Sequence, residues 1–287
     1  MAVYKRTYHG YSGALTPEWS RFAIIPRYAY RRLFQSKIMT AFYVVCFISP
    51  LVFLSLIYVA NSFSSIAKLF GAMDARSPIK VDGDFFLVYL AIQSFFAFIL
   101  TSFVAPGLIS SDLSNRALTL YLARPFSRAE YVIGKMSVLL ILLSSITWVP
   151  GLILFSVEAA LAGAGWTIHN LWIAWAIFAG AWIWILVIGL LALALSAWVK
   201  WRIAAGALLL GVFFVGSGLG QAINAALEVR WGSLLNLGDV SAAVWANLFR
   251  AHGPEISPSS AWITLALVCV ACVWLLYRKL RAVEVVR

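Results

Sequence analysis

Six long apolar stretches, at about residues 38–60, 85–109, 132–157, 171–199, 203–223 and 261–277, leave all 22 lysines and arginines of this chain outside them or at their rims. A transmembrane helix needs about 20 mostly apolar residues to cross about 30 Å of hydrocarbon. Five of the stretches meet that length, and the sixth is at the short end. Only helices and closed barrels can satisfy their own backbone in lipid, and continuous apolar runs without period-two alternation exclude the barrel. The expected fold is an all-α integral membrane protein with six transmembrane helices.

The connecting segments alternate in charge. Seven basic residues precede the first stretch (Lys5, Arg6, Arg21, Arg27, Arg31, Arg32, Lys37). Four follow the second (Arg116, Arg124, Arg128, Lys135), two follow the fourth (Lys200, Arg202), and four lie in the tail (Arg278, Lys279, Arg281, Arg287). These 17 share one side with four acids, for a net +13; the other side has five bases, seven acids and a net −2. The positive-inside rule then predicts cytoplasmic N and C termini. The formal charge of +11 reflects this topology and contact with anionic membrane lipid, and no nucleic-acid partner is expected.

Charged residues make up 11% of the chain and hydrophobic residues 63%, against about 25% charged in soluble domains. Cys46, Cys269 and Cys272 fall within the stretches, and the C-x-x-C spacing of the last two has no His, Asp or further Cys beside it. They read as small buried hydrophobes. The first 37 residues contain no apolar h-region, so no cleaved signal peptide is expected. Thr16, Pro17 and Glu18 read as a helix start. From Trp19 to Phe34 aromatic and basic residues segregate onto opposite arcs, and Pro26 is expected to kink the helix. Such a basic amphipathic helix lies in the membrane interface, either as an anchor or as a surface that also touches a cytoplasmic partner.

Ionisable residues within spans usually mark ion-coupled transporters and intramembrane enzymes. Here Lys135 sits one turn inside the third stretch, from where it can snorkel, and Glu158 sits at that stretch's far end. His169 and His252 are placed in outer loops and His9 in the N-terminal tail, with no metal-ligand spacing. No catalytic residue, metal site or cofactor site is expected. Gly134-Lys135 lacks both the preceding glycine and the following Ser or Thr of a phosphate-binding loop. Uphill movement of any substrate would need energy from another polypeptide.

The most specific sequence is residues 109–135. It predicts a short helix from about Asp112 to Ala123, with Leu113, Ala117, Leu120 and Tyr121 forming one stripe. Arg124-Pro125 stops it, and Ser127 with Glu130 has capping-box spacing for the next helix. A helix with an apolar face and flanking arginines suits a groove on a soluble partner; the alternative is that it lies on the membrane and turns the chain. Asp112, Leu118, Leu120, Leu122, Arg124-Pro125, Ser127-Arg128, Glu130 and Gly134-Lys135 together resemble the coupling-helix region of ABC-2-type ABC transporter permeases. Arg116-Ala117 replaces the Gly-Thr of many members, and Asp112 the commoner Glu. The motif covers about 27 residues, while the six spans and the lead-in helix extend the likeness over most of the chain.

The resemblance implies a division into a tail and interfacial helix, 1–37, and a six-helix transmembrane domain, 38–287. It implies a multi-pass subunit of a bacterial cytoplasmic (inner) membrane that pairs with a second permease subunit, identical or not. A separate ATP-binding cassette subunit would hold ATP and Mg and dock through a cytoplasmic coupling helix between spans two and three. The expected docking residues are Asp112, Arg116, Leu118, Leu120, Tyr121 and Arg124. The expectation is an exporter; the alternative is a non-transporting structural or mechanical subunit of a larger complex.

Further features stand outside the motif. Residues 239–249 predict an outer amphipathic helix bearing Val240, Val244, Trp245 and Leu248, which either gates an exit path or covers a dimer. In the fifth stretch Gly216 and Gly220 have the small-x-x-x-small spacing of close helix packing, within one subunit or across a dimer seam. Pro50, Pro106 and Pro150 should kink spans one to three. Trp172, Trp175, Trp182 and Trp184 of the fourth belong to an aromatic belt or contact an amphiphilic substrate.

Overall fold

A computed structural model describes residues 24–69, 79–115, 128–199 and 201–281, and these are all-helical, with no strand among them. The helices are α1 (Ile24–Leu33), α2 (Lys37–Val45), α3 (Ile48–Leu69), α4 (Gly83–Val104), α5 (Pro106–Ser114), α6 (Arg128–Ile146), α7 (Trp148–Ala162), α8 (Ala164–Trp198), α9 (Arg202–Leu227), α10 (Leu237–Phe249) and α11 (Pro258–Arg281). A 3₁₀ turn, Trp231–Leu235, precedes α10. Six helical segments are long and apolar enough to cross a membrane: Lys37–Phe63, Gly83–Asp112, Ala129–Ala162, Ala164–Trp198, Arg202–Leu227 and Pro258–Lys279. The expected start of the lead-in helix at Thr16 lies outside the described residues.

Spans one, two and three are each two helices, broken at Cys46–Phe47, Ala105 and Thr147. Each break falls within one turn before a proline: Pro50, Pro106 and Pro150. Proline has no N–H, so the carbonyl four residues earlier loses its helical partner. In spans one and three those carbonyls belong to Cys46 and Ile146. In hydrocarbon no water replaces the lost donor, and an unmet carbonyl costs several kcal/mol.

One side chain on span two meets both. The amide nitrogen of Gln93, fully buried, donates to the Cys46 carbonyl at 2.9 Å and to the Ile146 carbonyl. Tyr89, one turn earlier on α4 and also fully buried, donates its hydroxyl to the Thr147 carbonyl at 2.9 Å. Phe53 of span one packs edge-on against Tyr89, with ring centroids 5.3 Å apart. Among the described residues Gln93 Oε1 has no partner, so the amide is held for its two donors. At the span-two break the carbonyl freed by Pro106 is that of Ser102, and the side-chain bonds there go to its neighbours. The Ser196 hydroxyl of span four accepts from the Ser110 N–H at 3.1 Å and donates to the Pro106 carbonyl at 3.1 Å, while Arg202 Nη2 donates to the Phe103 carbonyl at 3.3 Å.

These bonds place spans two, three and four at the centre. They bury 56, 56 and 67% of their central residues, whereas spans one, five and six bury 28, 22 and 22% and so present most of their surface outward. Trp184 of α8, expected in an aromatic belt or at a substrate, is instead a core residue: it is 5% exposed and donates its indole N–H to the Ser94 carbonyl at 3.0 Å. Trp175 remains 65% exposed. Span four begins earlier than the sequence suggests. Gly163, at φ 90°, makes the turn from α7 by itself, so His169 lies on α8 and not in a loop.

At the far end, α10 starts where the Asn236 side chain accepts from the Gly238 N–H at 3.0 Å. Its Val240, Val244 and Trp245 are buried, and the Trp245 indole donates to the Gly180 carbonyl at 3.1 Å. This helix therefore packs into the bundle against span four. A Cβ at Gly216 would lie 2.6 Å from the Leu235 carbonyl oxygen, and one at Gly220 2.6 Å from that of Gly232. The glycine face of span five thus admits the 3₁₀ turn of the same chain.

Replacing Gln93 with Leu keeps the volume and strands two carbonyls. The variant should be less stable by about 2–6 kcal/mol in detergent, about 1–3 kcal/mol for each carbonyl, read by thermal or denaturant unfolding, while Phe95→Leu on the outward face of the same helix should unfold like the wild type.

Candidate functional site: a clasp at the base of the loop between spans two and three

The 109–135 segment leaves the bundle on α5 and re-enters it on α6. Asp112 lies in the last turns of α5. Tyr131 and Lys135 are four residues apart on α6, a spacing that stacks them on one helix face. Both converge on the same carboxylate. Asp112 Oδ2 lies 2.7 Å from Lys135 Nζ and accepts from the Tyr131 hydroxyl at 2.9 Å. Lys135 Nζ also sits 5.5 Å from the centre of the Tyr131 ring.

This geometry replaces the expected snorkelling of Lys135. Its side chain is 9% exposed and that of Asp112 15%, so the ammonium turns inward to a partner and does not reach out to water. A charge so buried is tolerable only when paired and hydrogen-bonded, and here a carboxylate, an ammonium and a phenol close on one another. Met136, next in sequence, packs into span four, where Gly189 leaves room: a Cβ there would lie 2.7 Å from the Met136 methyl carbon.

One turn further along α6, helix α1 attaches. The Tyr30 hydroxyl of α1 donates to the Val138 carbonyl at 2.6 Å, and burial raises its pKa above the usual phenol range, keeping it a neutral donor. The clasp and the α1 attachment are therefore three residues apart on one helix. Asp112 thus joins span two to span three through Lys135, and the Val138 carbonyl joins span three to α1.

Of the expected docking residues, Asp112 is in the clasp. Arg116, Leu118, Leu120, Tyr121 and Arg124 lie outside the described residues. Neither Tyr131 nor Tyr30 was expected at the site. The four-residue spacing of Tyr131 and Lys135 was a local signal for the first, whereas nothing local links Tyr30 to Val138. At the opposite end of the bundle, Glu158 is 4% exposed and accepts from Asn61 Nδ2 at 2.7 Å, joining span three to span one. Cations lie over tryptophans at both ends: Arg250 over Trp172 at 4.7 Å, and Lys279 over Trp198 at 5.0 Å. Among the described residues no three His, Cys, Asp or Glu side chains are grouped to hold a metal. In comparisons with known proteins the chain matches no family model and no curated protein.

The clasp can be measured by a double-mutant cycle. Asp112→Asn and Lys135→Met should each destabilise the protein by about 2–4 kcal/mol, because each strands the other charge. The double variant should cost less than the sum, by at least about 1 kcal/mol in detergent unfolding.

Proposed function

We propose that this chain is the transmembrane subunit of an ATP-driven exporter of the ABC-2 type, powered by a separate ATP-binding subunit docked on the 112–124 helix. The observation that carries the reading is the Asp112–Lys135 ion pair, which ties the two ends of the motif-bearing segment to spans two and three. A docking helix transmits force only if its ends are held, and a buried ion pair with a third hydrogen-bonding partner resists shear better than an exposed one. Support also comes from the six spans and from the residues of 109–135 that resemble the family.

In this reading the ATP-binding subunit takes the apolar residues Leu118, Leu120 and Tyr121 in a groove, with Arg116 and Arg124 on an acidic rim. ATP and Mg belong to that subunit. A second permease subunit, identical or not, completes the pathway, and both termini face the cytoplasm of a bacterial inner membrane. The same held loop would also serve a non-transporting mechanical subunit, which is the alternative reading. The two differ in whether an ATPase accompanies the chain.

Purification of the tagged chain in mild detergent from its host should bring down a Walker-motif ATPase. Leu120→Asp, which places a charge in the apolar stripe, should reduce its recovery at least about tenfold, equivalent to about 1.4 kcal/mol. Recovery of other membrane proteins with no ATPase would remove powered transport and leave the mechanical subunit. Orientation has its own test. In a chain with its three cysteines changed to alanine, Ser259→Cys should react with an impermeant maleimide in intact cells, and Ala129→Cys only after lysis. The reverse pattern would invert the topology.

A further inference from the structure

Beside the third proline break, span two and the start of span five enclose a groove of 840 Å³. Small-ligand sites run from roughly 300 to 1,000 Å³. Its walls are apolar: Ile99, Phe103 and Pro106 on one side, Ile203 and Leu210 on the other. The spans come close here because position 206 is glycine; a Cβ would lie 2.8 Å from the Ser102 carbonyl oxygen. The groove opens sideways, since Phe103 is 51% exposed and Ile203 88%. In a bilayer crossed by these spans, such an opening would face acyl chains.

Arg202 closes one end. Its guanidinium spends one N–H on the Phe103 carbonyl, and its other donors have no partner among the described residues. Arginine presents a planar fork that matches a phosphate. Trp201, 79% exposed beside it, has the amphipathic ring found at headgroup depth. A trough that is greasy along its length and cationic at its rim complements an acyl chain joined to an anionic head. A second copy of this chain would cover the greasy walls but leave the guanidinium desolvated and without a counter-charge.

We infer that this groove holds one anionic phospholipid, its phosphate on Arg202 and an acyl chain between span two and span five. The binding does not depend on transport; only its assignment to the cytoplasmic leaflet rests on the topology proposed above. The occupied groove brackets the Pro106 break, so the lipid wedges the bend of span two against span five.

The test is native mass spectrometry of the detergent-purified full chain, equilibrated with equimolar dioleoyl phosphatidylglycerol and dioleoyl phosphatidylcholine. The wild type should retain one phosphatidylglycerol with about tenfold preference. Arg202→Gln should lose the preference, and Ala207→Trp, which fills the trough with Arg202 intact, should lose the lipid. Circular dichroism confirms that each variant is folded, and Ala207→Trp decides the matter if Arg202→Gln is not. Equal retention of both lipids, or retention unchanged in Ala207→Trp, overturns the inference. So does displacement by millimolar inorganic phosphate, which would make this a free-anion site, or a lipid-free dimer, which would make it an interface between copies.

Discussion

The absence of water from hydrocarbon decides how this bundle is joined. Prolines in spans one and three release carbonyls that a soluble protein would leave to solvent, and here a side chain of span two reaches both. Gln93 answers two at once and so binds three spans through a single nitrogen. Ser196 bonds the Ser110 N–H and the Pro106 carbonyl just past the span-two break and so joins span four to span two. Much of the fit among the central spans follows from where these donors have to stand. Apolar burial fills the space between them, but within a bilayer it discriminates poorly, because lipid is as apolar as leucine.

The arrangement separates a stiff interior from an exposed periphery. Spans two, three and four carry the buried bonds, and the clasp of Asp112, Tyr131 and Lys135 extends that stiffness to the base of the loop. Spans five and six present most of their surface outward, with the glycine face of span five against the 3₁₀ turn at one end and, at the other, Arg202 on the Phe103 carbonyl and Lys279 over Trp198. The groove beside Arg202 lies where span five meets span two.

Much of the fold was legible in the amino-acid sequence, because a span declares itself locally. The apolar runs located all six crossing segments, and Pro50, Pro106 and Pro150 marked three bends. Span four was read as starting at 171, not Ala164, because Trp166, Thr167, His169 and Asn170 are polar enough to resemble a loop, whereas Gly163 alone makes the turn. The candidate site was only partly legible. Asp112 and Lys135 each belonged to a recognisable pattern, but their pairing spans 23 positions and depends on how two helices meet. Lys135 was read as reaching for water because snorkelling is the default for a lysine with no visible partner. Trp184 looked like a belt residue because its hydrogen-bond acceptor, Ser94, is on another helix. In each case the deciding contact joins positions far apart in the chain.

Gln93 also limits how this sequence can change over generations. Its role needs a neutral nitrogen carrying two protons at the end of a side chain long enough to reach two neighbouring helices. Asparagine is one carbon too short, and lysine or arginine would bring a charge into the membrane core. Glutamate lacks the second proton. Loss of Pro50 or Pro150 would restore a helical N–H and release one of the protons, so the constraint on position 93 lasts only while both prolines remain. Residues 50, 93 and 150 thus form one heritable unit, in which drift at any member changes what is permitted at the other two.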